Sequence, residues 1–243
     1  MSPSSSSSPA ARPGRGPAVR PHSAPTQHNQ SVADPVAHFR AIPWCAALLA
    51  DPAVLEVVVP DRRPLPSGES NFVRRTVNSA TTVRACVTFF RALDDRPGQA
   101  APEAAPARPL SASAPLLAGG GPTDGEDPRN PFLLLSALVD LGPDCSGFAG
   151  TLHGGLCGVL MDEVMGTAAN FQAENGAYTL SFTTRFRRAV ATPQVVLARG
   201  RVVRRDRRKI WVRGTLEDKD GRILAEGEGL WLSMDRDIGR SQL

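Results

Sequence analysis

The chain has 243 residues, of which 41% are hydrophobic and 21% charged, with a formal net charge of +4. This length suffices for one domain with tails or for two small domains. No apolar run reaches the roughly 18 residues of a membrane span, and the four cysteines have neither CxxC nor metal-ligand spacing. The sequence therefore predicts no membrane span, no metal and no cofactor, and the lack of a disulfide pattern favours a reducing compartment.

The N-terminal tail, residues 1–33, is rich in Ser, Pro, Ala and Arg and contains no acidic residue. This composition predicts disorder. Arginine and serine without acids are also typical of an organelle transit peptide, but the prolines spaced through the tail would break the amphipathic helix of such a peptide. We expect a cytoplasmic protein, with mitochondrial targeting as the alternative.

Residues 34–92 are predicted to form a helical segment followed by a first strand. The helical pattern covers 34–49, with a break or a second start at Pro43. Residues 54–59 are short and β-prone, and residues 81–91 have the pattern of a strand that pairs with the main sheet.

Residues 93–130 are rich in Pro, Ala, Gly and Ser, which predicts a flexible insertion without fixed structure. The main domain is expected at 131–235. Its first element, 132–141, is either a strand or a short helix followed by a strand.

An apolar helix is predicted from His153 to Asn170, where the only formal charges are Asp162 and Glu163. Carboxylates are rarely buried without a partner. The residues four positions from either acid are Gly, Val or Thr, so an i,i+4 salt bridge is excluded. The pair indicates either a catalytic group facing a cleft or a helix face that emerges into water.

The start of this helix carries two glycines, Gly154 and Gly155. The first N–H groups of a helix lack internal partners and carry partial positive charge, so an anion or a developing oxyanion fits there. The alternative is that the glycines only make a tight turn.

Gly154 and Asp162 are eight residues apart, which is roughly 12 Å along a helix. A base and an oxyanion donor must both lie within about 3 Å of the reacting groups. Two such helices packed antiparallel across a two-fold axis place the base of one chain beside the oxyanion donor of the other, and the symmetry creates two sites of this kind. We therefore predict an obligate homodimer, or a dimer of such dimers, with Gly154 of one chain and Asp162 of the other in each site.

Three sequence motifs together resemble the signature of the hotdog-fold acyl-CoA thioesterase superfamily, in particular its phenylacetyl-CoA and 4-hydroxybenzoyl-CoA thioesterase-like branch. They are Leu152-His153-Gly154-Gly155, Leu160-Met161-Asp162-Glu163 and Gly166-Thr167-Ala168-Ala169. The resemblance covers about 131–235. It implies an α+β hotdog fold, in which an antiparallel sheet wraps around a long central helix and two subunits pair.

The resemblance also implies roles for individual residues. The acid at the position of Asp162 is the nucleophile or general base, Gly154 polarises the thioester carbonyl with Gly155 beside it, and His153 sets the geometry of the loop. Glu163 then points to the dimer seam or to solvent, since it lies about 100° around the helix.

The family differs from this chain just upstream of the motif. Many relatives have an asparagine or a second histidine six or seven residues before the motif histidine, where this chain has Gly147 and Ser146. Either Ser146 substitutes through its hydroxyl, or the site is weaker. The N-terminal helices are expected to form a cap on the acyl pocket or a dimer arm.

A half-buried strand is predicted directly after the helix, because residues 178–186 alternate with a period of two. One face carries Tyr178, Leu180, Phe182 and Phe186, and the other Thr179, Ser181, Thr183 and Arg185. Thr179 lies where many relatives have a hydroxyl that bonds the catalytic acid or water, although strands favour threonine in any case.

Three further strands are predicted at 194–205, 209–217 and 222–232. The turn at 206–208 and the Asp220-Gly221 hairpin signal separate them. With the strand at 178–186 they suggest an antiparallel meander.

Basic residues are concentrated between Arg185 and Arg213, where ten arginines and Lys209 face a single acid, Asp206. Such density implies an anionic partner, and the phosphates of coenzyme A suit arginine well. The predicted contacts are Arg188 and the hairpin residues Arg207, Arg208 and Lys209. The alternative for each is a solvated basic face. Aromatic residues are few there, so nucleic acid is not expected.

The sequence thus predicts a thioesterase of lipid metabolism, which hydrolyses an acyl-CoA or acyl-carrier thioester to a free acid and a thiol. The alternative is a non-catalytic acyl-CoA-binding hotdog module. A hydratase of the same fold is the least favoured function, because such enzymes need a catalytic histidine, and the histidine of this motif directly precedes the two glycines.

Overall fold

The computed structural model describes residues 28–92, 133–173 and 175–235. Within these ranges the α-helices are α1 (Pro35–Arg40), α2 (Pro43–Leu49) and α3 (Gly154–Asn170), and none is long and apolar enough to cross a membrane. A π-helical turn covers Phe72–Thr76 and a 3-10 turn Pro143–Cys145. The strands are β1 (Val54–Val58), β2 (Val83–Ala92), β3 (Leu133–Leu141), β4 (Ser146–Phe148), β5 (Thr151–Leu152), β6 (Ala177–Phe186), β7 (Gln194–Asp206), β8 (Lys209–Glu217) and β9 (Ile223–Ser233).

Seven strands form one antiparallel sheet in the order β1-β2-β3-β7-β8-β9-β6, and β4 pairs with β5 separately. Helix α3 packs on one face of this sheet, and its Met161 and Met165 side chains are fully buried in the core. The predicted antiparallel sheet around a long helix is confirmed, including the pairing of the early strand β2 with the main sheet through β3.

A row of glycines lets α3 lie close to the sheet. Gly200, Gly214 and Gly227 are paired in register on three neighbouring strands. A Cβ on Gly200 would come 3.0 Å from the Val164 carbonyl oxygen, and one on Gly214 would come 2.8 Å from the Met165 side chain. These positions must therefore lack side chains, because the helix occupies that space.

The four strands after the helix are not a simple meander, as the sequence had suggested. β7, β8 and β9 follow each other as predicted, with hairpin turns at Arg207 (φ 52°) and Gly221 (φ 73°). β6 pairs with β9 instead of β7. Sequential strands are neighbours only about two-thirds of the time, and here the crossover makes β6 an edge strand.

The faces of β6 differ from the predicted ones because the strand contains a β-bulge. The register shifts between Thr179 and Ser181, so that Leu180 has no paired residue on β9. The bulge interrupts the alternation, and Thr179 therefore faces α3 together with Phe182, although a strict period of two places them on opposite faces. Tyr178, Leu180 and Phe186 are 53%, 58% and 58% exposed, so the expected half-buried face is open in the single chain.

The N-terminal helices form where the sequence predicts them. The Asp34 carboxylate accepts the Ala37 N–H at 2.9 Å as an N-cap, and Pro35 and Pro43 begin the two helices. Phe39 and Cys45 pack on β2, β3 and β7 in a second cluster, on the face of the sheet opposite α3. These helices therefore do not cover the α3 face.

The predicted insertion at 93–130 lies outside the described residues, as do residues 1–27 of the predicted tail. Residues 28–33 are described, and Gln30 is buried. Its side-chain amide accepts the Cys86 N–H at 2.6 Å and donates to the Pro60 carbonyl at 3.1 Å. The packed part of the chain thus includes residues that composition assigned to the tail.

Candidate active site

The start of α3 presents two backbone donors that have no acceptor among the described residues. His153 is the N-cap residue, and its Nδ1 accepts the Gly155 N–H at 3.0 Å. The Cys157 N–H bonds the His153 carbonyl, which leaves the N–H groups of Gly154 and Leu156 without an acceptor among the described residues. The Gly154 N–H is the first of the helix, so it combines an open hydrogen-bonding position with the positive end of the helix dipole.

The loop before His153 is fixed by backbone and hydroxyl contacts. The His153 N–H donates to the Cys145 carbonyl at 2.9 Å. The Ser146 hydroxyl donates to the Pro143 carbonyl at 2.8 Å and lies 2.6 Å from the Thr192 hydroxyl. The structure thus places Ser146 in the loop scaffold, where both of its contacts are to protein.

A cleft of about 580 Å³ opens beside the first turn of α3. Its wall includes His153, Gly154, Phe148, Phe186 and Arg188. The Arg188 guanidinium donates to the Ile223 carbonyl at 3.3 Å. The structure therefore brings predicted Arg188 into the same cleft as predicted Gly154.

Asp162 is held by Thr179. The Thr179 hydroxyl on β6 donates to Asp162 Oδ1 at 2.9 Å, and Asp162 is half-buried on α3. The second carboxylate oxygen, Oδ2, has no partner within the described parts of the chain. This arrangement orients a carboxylate and leaves one of its oxygens available to a water or a substrate.

Within one chain, the structure does not bring Asp162 to Gly154. Both lie on the continuous helix α3, and eight residues of α-helix separate them by roughly 12 Å. The single chain therefore contains two half-sites, one with the free N–H and one with the oriented carboxylate.

Glu163 has neighbours that the sequence did not reveal. Partial desolvation, and then the Asp162 carboxylate, raises the pKa of Glu163, while Arg62 and Arg74 act to lower it. Arg62 is only 8% exposed and donates to the carbonyls of Val73 (2.6 Å) and Val77 (2.8 Å). No periodicity marks a buried arginine in a loop, so sequence reasoning missed it.

Replacing Glu163 with glutamine should stabilise the protein at neutral pH. A carboxyl whose folded-state pKa is raised favours folding while protonated, and that contribution is lost as the pH rises through the folded pKa. Glu163→Gln should therefore raise the free energy of unfolding at pH 7, with the gain vanishing below about pH 4. Urea unfolding at both pH values measures this; an equal effect at the two values would contradict it.

The basic hairpin residues lie at the other end of the sheet from Gly154. Arg207 and Arg208 form the turn between β7 and β8, and Arg208 is paired with Asp235 at 2.7 Å. Lys209 is in register with Leu232, which is in register with Tyr178. The hairpin is thus level with the Asp162–Thr179 half-site.

Cysteines and metal ligands contribute no reactive cluster in the described ranges. No group of three or more His, Cys, Asp or Glu side chains there is arranged to hold a metal ion. Burial raises the pKa of the Cys157 thiol on α3 to about 11, as expected for a small core residue and not for a nucleophile.

Residues 149–225 match the model of the thioesterase superfamily. The resemblance to this superfamily is therefore confirmed over the segment that contains the α3 motif and Thr179. No curated protein matched the sequence.

Solved structures similar to this chain include thioesterase superfamily proteins. One crystallised member is 28% identical, with a TM-score of 0.39 over 41% of this chain and 49% of its own. A Bacillus halodurans protein with CoA is 22% identical, with a TM-score of 0.38 over 40% and 65%. The E. coli PaaI protein from the phenylacetic acid degradation operon is 15% identical, with a TM-score of 0.41 over 43% and 75%. This chain thus spans about half of the length of the first of these proteins and about two-thirds of the length of the Bacillus halodurans protein.

Proposed function

We propose that this protein is a thioester hydrolase that cleaves acyl-CoA, or an acyl group on a carrier, to a free acid and a thiol. The observation that carries the proposal is the Thr179–Asp162 hydrogen bond. It orients a carboxylate on the helix that begins with His153-Gly154-Gly155, inside the segment that matches the thioesterase superfamily.

The complete site is proposed to form between two copies of the chain. Two antiparallel α3 helices bring the Gly154 half-site of one copy to the Asp162 half-site of the other. Strand β6 supports this assembly, because it is an edge of the sheet formed by the described strands and its Tyr178, Leu180 and Phe186 expose large apolar side chains. A second copy covers both features at once.

In this site the thioester carbonyl oxygen accepts a hydrogen bond from the Gly154 N–H. Negative charge that develops on this oxygen is stabilised by the helix dipole. In the general-base route, Asp162 Oδ2 takes a proton from water, which adds to the carbonyl carbon; the carbon–sulfur bond then breaks, the thiolate receives the proton, and the free acid leaves. In the nucleophilic route, Asp162 Oδ2 attacks that carbon directly, the carbon–sulfur bond breaks to give a thiolate and an acyl–Asp162 anhydride, and water hydrolyses the anhydride to the free acid.

The nucleotide end of coenzyme A is proposed to bind the basic residues on either side of this composite site. In one copy, the hairpin with Arg207, Arg208 and Lys209 lies at the same end of the sheet as Asp162. The other copy contributes Gly154 to the same site, together with the cleft that contains Arg188. Arginine and lysine at the two positions then suit the separate phosphate groups of the ligand.

A second candidate function is binding without hydrolysis. It is favoured by the position of Ser146, whose hydroxyl contacts Pro143 and Thr192 instead of the cleft. The upstream polar group that holds water in relatives therefore has no equivalent at this position. A hydratase is disfavoured, since the His153 ring is engaged in capping α3.

Thr179 is predicted to position Asp162 during turnover. Thr179→Val removes the hydrogen bond at the same side-chain volume, and kcat should fall roughly tenfold or more because the carboxylate loses its orientation. Thr179→Ser retains the hydroxyl and should keep most of the rate. Steady-state kinetics on both variants measures this; equal kcat values would exclude the positioning role.

Thiol release from a panel of acyl-CoAs tests the proposed function. The panel runs from short to long acyl chains and includes phenylacetyl-CoA. We expect hydrolysis of at least one member at enzymatic rates. If acyl-CoA protects the protein against thermal unfolding but no thiol is released, the protein is a binding module.

A further inference from the structure

The face of the sheet opposite α3 carries a groove that the proposed reaction does not use. Arg204, Trp211, Leu230 and Ser181 form one row across four strands, in register. Arg213 and Thr183 line the groove beside this row, and its volume is about 580 Å³. We call these six residues the outer groove.

Among the described residues, the two arginines of the outer groove form no ion pair, although Arg213 lies opposite Glu228 in the sheet register. Glu228, which also lines it, is paired with Arg185 at 2.8 Å. Arg213 is exposed and has no carboxylate partner in the described parts of the chain. The Arg204 guanidinium lies over the Trp211 ring, 4.4 Å from its centroid, a cation–π contact that holds the cation in place. The groove therefore presents fixed positive charge.

The described helices leave this surface open. α1 and α2 pack on β2, β3 and the start of β7, and Arg204, Arg213, Ser181 and Thr183 are all exposed. Tryptophan and arginine, which both line this groove, are enriched at protein interfaces.

A ligand of the outer groove cannot touch Asp162, because the sheet lies between them. A small thioester bound there would be cut off from the proposed catalytic groups. A large partner has no such restriction, since it can hold the thioester on a flexible arm that passes around the sheet. The excess of arginine over carboxylate in the groove favours an acidic partner.

We propose that the outer groove docks an acidic acyl carrier protein, which delivers its acyl group to the composite site on a phosphopantetheine arm. This inference rests on the proposed thioester hydrolysis. Water adds to the acyl carbonyl, the carbon–sulfur bond breaks, and the carrier's thiol takes up the proton. No other reactant is needed.

The test compares one acyl group on two thiols, CoA and an acidic holo-acyl carrier protein. The variants are the double substitution Arg204→Glu/Arg213→Glu and the control Arg40→Glu, an exposed arginine at the end of α1, which packs on β2 and on the face opposite α3. The double variant should lower kcat/KM for the carrier thioester at least roughly tenfold. It should leave acyl-CoA hydrolysis within about twofold, since acyl-CoA binds the other face, and Arg40→Glu should affect neither.

Three outcomes would overturn this inference. The first is an unchanged kcat/KM of the double variant for the carrier thioester, and the second is an equal loss of kcat/KM for both thioesters. The third is a change of the double variant's oligomeric state in sedimentation, because the groove would then be a contact between two copies of the chain.

If wild type hydrolyses no thioester, the proposed function fails, and this failure is distinct from failure of the docking proposal. In that case, calorimetric titration of wild type and the double variant with the unloaded holo-carrier tests docking alone. Binding to wild type that is lost in the double variant supports docking, and no binding to wild type refutes it.

Discussion

Asp162→Asn should lower kcat for acyl-CoA hydrolysis by roughly 10³-fold, because neither general-base catalysis nor nucleophilic attack is available to an amide. The substitution keeps the size of the side chain. Its Oδ1 still accepts the hydrogen bond that Thr179 donates at 2.9 Å in the native protein. The fold and the melting temperature should therefore be preserved, and acyl-CoA should still bind.

Glu163→Gln is the matched control for this variant, since it changes the adjacent carboxylate of α3 in the same way. We expect Glu163→Gln to retain most of the rate. An Asp162→Asn protein with near-normal turnover would show that Asp162 is not the catalytic carboxylate, and loss of activity only in Glu163→Gln would transfer the role to Glu163.

Gly154→Pro should lower kcat by roughly 10²- to 10³-fold, since it deletes the single N–H that is proposed to stabilise the oxyanion. Proline is well tolerated at the first position of a helix, and this chain already begins α1 and α2 with Pro35 and Pro43. His153 has φ −61° and ψ 128°, the extended conformation that a residue before proline prefers. The variant should therefore fold.

Gly154→Ala separates the loss of the N–H from the addition of a side chain. The new Cβ would lie 3.5 Å from the Phe186 ring, an ordinary contact, and the N–H is retained. We expect a much smaller loss of rate than in the proline variant. Similar rates in the two variants, measured with matched thermal unfolding curves, would exclude the Gly154 N–H as the oxyanion donor.

Local sequence signals predicted the elements that make up the two half-sites. The apolar run to Asn170 and the glycine pair predicted α3 with its start at Gly154, and the structure confirms both. The resemblance predicts a hydroxyl that bonds the catalytic acid at Thr179, and the Thr179 hydroxyl donates to Asp162. These features depend on helix periodicity and turn chemistry, which act within a few residues.

Features that depend on distant parts of the chain were not predictable in the same way. The bulge at Leu180 turns Thr179 towards α3, yet a strict alternation places Thr179 opposite Phe182. The position of β6 beside β9 depends on a crossover that leaves no mark in composition. The glycines at 200, 214 and 227 are a visible signal in strand interiors, but only the register shows that they lie side by side.

The burial of charged residues was also invisible in the sequence. Arg62 lies in a loop and is buried because carbonyls from 73 and 77 surround its guanidinium. Arg199 and Glu217 on neighbouring strands are 5% and 0% exposed, with Thr215 donating to Glu217 at 2.7 Å. Charged residues are mostly exposed in proteins, and only tertiary packing identifies the exceptions.

A mixed dimer of Asp162→Asn and Gly154→Pro tests most directly whether the site is shared between two copies. The two chains are co-expressed with different tags, and the dimer that carries both tags is isolated. One of its sites then combines both substitutions, while the other combines the intact Asp162 and the intact Gly154. We predict about half of the wild-type activity per dimer. A mixed dimer as inactive as the two parent variants, or a fully active monomer at assay concentration, would contradict the shared site.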